Sequence, residues 1–353
     1  QQGGILRCDP DGRHLEIVSR GFRNPWDIAF DDQFNWLGTD NDQTQGDKIF
    51  ASFFGAQFGW GHAWSYDWIG ENHLPTVPAS AKLFEGSGTG VIHYHAEQFP
   101  PEYRNVFFVN DWLRREMYAF RPRWDGALMR CDQEFPPVFA HAGGGRSMPA
   151  SSGRVFEPTD LEVGPDGALY VLSWGHAYGA TIKDGRQVDL GRVYRIRHEA
   201  SPLIRWQGEH RRQPRQEWTL PQLLADLGSS VGAWRTDAQA ELLRRGPPVR
   251  EFLLNRLQDS EISMAEQTWA LWTFGQLSPR DSATDQELVR RALDAGAPQN
   301  VRLQSIRILA LRCRRPDRER SLPKELPQLL HDGEPRIRHE AVLVIHQTDD
   351  KSL

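Results

Sequence analysis

The sequence predicts two dissimilar parts. Residues 1–199 read as an all-β part, a partial β-propeller, and residues 216–353 as an all-α solenoid of the HEAT or armadillo kind, with a polar linker at 200–215. Three observations carry this. Of the 31 glycines, 24 lie in the first 200 residues, where tight turns must therefore be frequent. In that part apolar residues alternate with a period of two, as in Ala168–Ser173 and Arg192–Arg197, the signature of half-buried strands. Beyond residue 216 the apolar residues recur at i, i+3, i+4 and i+7, the signature of helices with one buried face.

The β elements follow in order. GGILRCDPDGRHLEIV (3–18) is a hairpin whose turn, Asp9-Pro10-Asp11-Gly12, combines a preset φ at proline with the positive φ that glycine accepts. PWDIAFDDQFNWLGTDN (25–41) has the same layout as PTDLEVGPDGALYVLSWG (158–175). Each has Pro-x-Asp, an apolar strand, a turn and a second strand, which makes Asp27 and Asp160 equivalent. EYRNVFFVNDWLRREMYAF (102–120) is a third, less regular unit. This amounts to roughly three blades, fewer than the four to eight that close a propeller. The expectation is therefore the late part of a larger ring, with an open strand edge near Ile5. The chain also begins with Gln1 instead of Met, which suggests processing or truncation.

The helical part reads as a repeat. WRTDAQAELL at Trp234, MAEQTWALW at Met264, VRLQSIRIL at Val301 and IRHEAVLVI at Ile337 recur with spacings of 30, 37 and 36 residues. That is the length of a two-helix solenoid repeat.

Composition narrows the function. Residues 201–353 carry 23 Lys+Arg against 21 Asp+Glu, leaving 19 against 26 in the first 200, a net of +2 and −7. Neither part has a nucleic-acid footprint, and the acidic first part suits a cation or a neutral substrate. No apolar run is long enough to span a membrane. Cys8, Cys131 and Cys313 are far apart and form no C-x-x-C or C-x-x-C-H motif, which excludes a zinc ribbon and a covalent haem.

Arg23-Asn24-Pro25, the acid-rich loop after the next strand, the GAQFGWGH turn (55–62) and GPDGALYV (164–171) resemble the six-bladed soluble pyrroloquinoline quinone (PQQ) dehydrogenases, the glucose/sorbosone dehydrogenase family. FFGAQFGWGHAWSYDW, GENHLPTVP, GSGTGV and NDWLRR are similar to propeller–helical-repeat proteins of planctomycete-type bacteria labelled membrane-bound dehydrogenases. In the latter a haem module often follows the helices. The resemblance covers residues 1–199 and, in architecture only, 216–353.

The resemblance implies several roles. Arg23 and Asn24 would contact PQQ, whose carboxylates and carbonyls suit a guanidinium and an amide. Ca2+ would sit in the loop of Asp40, Asp42, Gln43 and Asp47, which offers the oxygens a hard cation needs. The loop departs from the family there, having Asp42-Gln43 in place of its Gly-Pro. The general base is expected on earlier blades, so His62 is a weak candidate. The stretch FEPTDLEVG (156–164) lacks the basic residues that the family supplies close to the quinone. The substrate would be a sugar or alcohol, the electron acceptor a cytochrome c or haem module, and the location periplasmic or otherwise extracytoplasmic.

Other residues have local readings. Asp111 and Asp160 could face the propeller mouth, Asp160 bonding amides of its own blade. His93 and His95 share a strand face. Gly143-Gly144-Gly145-Arg146 is a loop able to cradle an anion. Trp60, Trp64, Tyr66 and Trp68 either pack a long loop or stack on sugar rings. Two functions follow from different classes: a PQQ-type sugar or alcohol dehydrogenase-like protein, or a non-catalytic propeller and solenoid that binds carbohydrate or docks a protein on its helical repeats.

Overall fold

The structure is a computed structural model. It describes residues 3–41, 47–60, 76–83, 88–133, 136–141, 156–175, 182–187, 191–201, 209–279, 281–314 and 322–348. The chain divides into two compact units, one of residues 1–31 and 35–205, the other of 32–34 and 206–353.

The first unit is built of strands: β1 (Gly3–Arg7), β2 (Glu16–Phe22), β3 (Pro25–Phe30), β4 (Trp36–Asp40), β5 (Lys48–Ala51), β6 (Ala56–Gln57) and β7 (Ala81–Lys82). They continue with β8 (Gly88–Tyr94), β9 (Val106–Asp111), β10 (Glu116–Phe120), β11 (Pro122–Asp125), β12 (Leu128–Cys131) and β13 (Val138–His141). The last are β14 (Pro158–Val163), β15 (Leu169–Ser173), β16 (Ile182–Lys183), β17 (Arg186–Gln187) and β18 (Arg192–Ile196).

Four sheets matter for the site. In order they are β1-β2-β6, β3-β4-β5-β7, β8-β9-β10-β13 and β14-β15-β18. Among the described residues β1 pairs only with β2, so the strand carrying Ile5 is a sheet edge. Three apolar layers lie between successive sheets. Phe22, Phe50 and Phe58 pack between the first two. Leu37, Ile49, Val91, Phe107 and Val109 fill the next layer, and Phe108, Met117, Leu161, Leu169 and Val171 the last.

β3, β8 and β14 are neighbours and carry the cross-links between sheets. Thr39 Oγ1 donates to the Thr89 carbonyl, Thr89 Oγ1 to the Pro158 carbonyl at 2.8 Å, and the Val91 amide to Asp27 Oδ2 at 2.9 Å. Gly90 makes the β8–β14 approach possible, because a Cβ there would lie 2.7 Å from Asp160 Cα. The Pro-x-Asp repeat is one structural feature used twice. Both copies contain a bulge, between Pro25 and Asp27 and between Pro158 and Asp160. In both, the Asp Oδ1 accepts the amide of the next residue, at 2.8 Å for Ile28 and 2.9 Å for Leu161. The extra residue would otherwise leave an amide unpaired.

The second unit is helical: α1 (Leu220–Leu227), α2 (Gly232–Arg245), α3 (Arg250–Arg256), α4 (Met264–Leu277), α5 (Ser282–Leu293), α6 (Gln299–Arg314) and α7 (Pro335–Thr348). α1 packs on α2, α3 on α4, α5 on α6, and the 3-10 segment Leu326–His331 on α7. The four recurring sequence segments are the second members of these pairs. One core, including Leu223, Leu242, Leu271, Phe274, Ile306 and Ile337, runs through the unit. Part of the predicted linker is packed into this unit. Arg211 and Arg215 both bond the buried Asp226, with Arg215 Nη1 at 2.8 Å, and Arg211 stacks 3.9 Å over the Trp234 ring. A buried carboxylate without cations would be costly, so residues 209–215 are held there. Among the described residues no helix is long and apolar enough to cross a membrane.

Candidate functional site

The polar residues of the first unit gather where β2 and β4 end and β3, β5 and β8 begin. Gly21, at the end of β2, has φ +82°, and a Cβ there would meet the Gly59 and Phe58 amides at 2.5 and 2.8 Å, so only glycine fits. The chain then turns through Phe22 and Arg23-Asn24-Pro25 into β3. Asp40 lies under this corner and accepts the Asn24 amide at 2.8 Å and the Arg23 amide at 3.3 Å. The register sets Pro25 opposite Asp40 on one side and Lys48 opposite it on the other. Lys48 Nζ is 2.7 Å from Asp40 Oδ2, both side chains being at most 2% exposed. The Phe22 ring lies 5.9 Å from the ammonium.

Two backbone amides and an ammonium, all on Asp40, thus fix the corner. Arg23 is half-buried, with Nη1 3.2 Å from the Asn41 carbonyl. Asn24 is exposed, and its side-chain amide has no partner among the described residues. Together they present hydrogen-bond donors that suit acceptor groups.

Two of the four expected metal ligands are described, and they point to different partners. Asp40 holds the corner, while Asp47 is buried and accepts the Gly88 amide at 3.1 Å. The Asp40 carboxylate is already neutralised by Lys48, so a divalent ion at Asp40 would face a buried cation at close range. The geometry makes Asp40 a brace. Asp42, Gln43, His62, Trp64, Tyr66, Trp68 and the Gly143–Arg146 loop lie outside the described residues.

The remaining candidates are placed as follows. Trp60 is half-buried. Asp111 is buried, its Oδ1 accepting the Arg114 amide at 2.9 Å. The His93 and His95 rings are 5.6 Å apart, and His93 also lies 5.0 Å from Phe107. Asp160 is exposed on β14, close enough to Asp27 and Glu162 to act on their titration. Burial raises the carboxyl pKa of Asp27 and of Glu162 above the usual range, and the Asp160 charge adds to both.

Sequence reasoning missed the polar residues where the third and fourth sheets meet. Asn110 stands opposite Met117, whose side chain packs against Leu161, Leu169 and Val171, so Asn110 faces the fourth sheet. Arg115, on the β9–β10 turn, reaches across to Glu157 Oε1 at 3.2 Å. Glu157 is held by its amide on Ser173 Oγ at 2.8 Å, and Trp112 lies 5.7 Å from Trp174 beside it. The one sequence signal was the acid in FEPTDLEVG where the resemblance supplies bases.

Residues 1–200 match the model of a family described as a domain of unknown function (DUF7133). The chain belongs to this family. No curated protein matches it. Among solved structures, this member of the family is similar to an oxidoreductase (glucose dehydrogenase) from Thermus thermophilus, at 17% identity over 53% of this chain and 48% of the other, with a TM-score of 0.37. A PQQ-bound aldose sugar dehydrogenase from Streptomyces coelicolor matches at 18% identity over 55% and 52%, TM-score 0.38. The soluble aldose sugar dehydrogenase from Escherichia coli, in its apo-form, matches at 22% over 45% and 44%, TM-score 0.32. The chain spans about half the length of these structures.

Proposed function

We propose that the first unit consists of β-propeller blades of the soluble quinoprotein type, and that its polar end binds a quinone and a sugar or alcohol for oxidation. The observation that carries this reading is the Arg23-Asn24-Pro25 corner, held by Asp40 and Lys48, with the Asn24 side chain exposed and the Arg23 guanidinium half-buried beside Asn41. For PQQ these two residues fit, since a half-buried guanidinium and an exposed amide with no partner among the described residues match carboxylates and carbonyls. PQQ bound there would supply a hydride-accepting quinone. Arg23 would bind and orient it, and Asn24 would fix its rotation by one further hydrogen bond. Calcium, on this reading, is held through Asp42, Gln43 and Asp47, with Asp40 serving the corner. The helical unit is proposed as a HEAT-like solenoid that docks a protein. An extracytoplasmic location and a cytochrome c or haem acceptor rest on the sequence resemblance.

Glu157 favours a second reading. A quinone carboxylate has no place over a buried acid, and this supports a non-catalytic module that binds an uncharged carbohydrate. An absorbance titration with PQQ and CaCl2 separates the two. Saturable uptake by the chain, weakened in Arg23→Ala by about 1.5–3 kcal/mol, the scale of a hydrogen bond to a charged group, supports the quinoprotein. No uptake, together with retention of sugars on a glycan array, supports the binding module.

A further inference from the structure

Asn110 is 0% exposed, and neither its Oδ1 nor its Nδ2 has a hydrogen-bond partner among the described residues. Glu157 is 5% exposed, and its Oε2 is unpartnered in the same sense, while Oε1 faces Arg115. Native interiors seldom leave such groups unpaired, because each keeps the full cost of losing water. Asn110, on the β9 face turned to the fourth sheet, and Glu157, bonded by Arg115 from the β9–β10 turn, share this condition. Their joint demand is specific. Asn110 Oδ1 and Glu157 Oε2 need donors, and Asn110 Nδ2 needs an acceptor. A hydroxyl is both donor and acceptor. The Glu157–Arg115 pair is neutral as a unit, so a guest with net negative charge gains nothing there and meets an unshielded carboxylate oxygen.

We propose that Asn110 and Glu157 form a buried subsite, between the third and fourth sheets, for hydroxyl groups of a small uncharged polyol. The proposal rests on reading this end of the unit as ligand-binding and is independent of the quinone. It makes Asn110 and Glu157 selective for uncharged ligands, with Arg115 holding the carboxylate in place. The Trp112–Trp174 pair is the apolar wall beside it, since a half-exposed indole such as Trp174 stacks on C–H faces.

The test is calorimetric titration of the full chain with sorbitol, and with sodium gluconate as the charged control. Sorbitol should bind saturably and gluconate should not. Asn110→Leu, close in size, should weaken sorbitol about tenfold, the loss of one good hydrogen bond. It should keep or raise the thermal midpoint of the free chain, since it removes an unpaired polar group without breaking a bond. Glu157→Gln should weaken sorbitol less and admit gluconate, and it serves alone if the leucine variant does not fold. Equal sorbitol binding in the wild type and both variants, no sorbitol heat, or gluconate binding as well as sorbitol would each overturn the proposal. PQQ uptake is measured on the same samples. Sorbitol without PQQ removes only the quinone, and PQQ without sorbitol removes only this subsite.

Discussion

Lys48 shows what one residue contributes to the candidate site. It forms no part of any sequence motif, yet it neutralises the carboxylate that holds the Arg23-Asn24 corner. Removing one partner of a buried pair leaves an uncompensated charge, so Lys48→Met and Asp40→Asn should each cost about 3–5 kcal/mol in urea unfolding. The double variant should cost clearly less than the two together, because neither charge is then stranded; strict additivity would mean that the two residues act separately. Asp27 and Glu162 give a second residue-scale prediction. Their pKa values are raised, so their contribution to stability is full below the unfolded carboxyl range and is lost as pH rises through the folded values. Asp160→Asn removes a charge that raises both and should lift the thermal midpoint at pH 7 more than at about pH 3.5, at low salt. The same shift at both pH values would exclude this coupling. The corner was legible in the sequence as Arg-Asn-Pro before a strand. The role of Asp40 was not, because three acids in eight residues look alike until the register sets one of them opposite Lys48.

At the scale of elements, close approach between backbones is set by single glycines. Gly90 lets β8 lie against β14, where a Cβ would meet Asp160 Cα at 2.7 Å and Leu161 Cδ2 at 2.9 Å. Gly90→Ala should therefore destabilise the first unit by about 1–3 kcal/mol, since a backbone atom cannot move aside as a side chain can. In α4, Gly275 faces Ile308 of α6, and a Cβ at Gly275 would clash with Ile308 Cγ2. An ordinary helical Gly→Ala change gains up to about 1 kcal/mol in propensity. Here overpacking should outweigh it, and urea unfolding should show a net loss. Adding Ile308→Leu, which removes the β-branch, should restore part of it; a Gly275→Ala chain at least as stable as wild type would mean that the helices simply part. The repeated Pro-x-Asp was legible as equivalence between Asp27 and Asp160, because the bulge and its amide cap are local. The burial of Asn110 was not, since β9 reads as a strand of six uniformly buried residues and only pairing with β10 shows which face each takes.

At the scale of the whole molecule, the change of composition near residue 200 separates two cores that share no residue among those described. One is the set of layers between sheets, around Phe22, Phe107, Phe108 and Leu169, and the other runs through the helices around Leu242, Phe274 and Ile306. The boundary itself, after Arg205, was less legible than the two grammars. The polar run 209–217 looks like a tether, but its arginines are called into the helical unit by Asp226, which lies ten or more residues further on and reads in sequence as an ordinary helix surface residue. Separate cores predict separate unfolding, since cooperativity spreads through shared packing. Differential scanning calorimetry of the chain should then show two transitions. Lys48→Met, which strands Asp40 of the first unit, should lower one of them, and Gly275→Ala, whose clash with Ile308 is between α4 and α6, should lower the other. The assignment needs no knowledge of which transition comes first, because each variant marks its own. A single transition lowered equally by both substitutions would mean that the two cores unfold as one.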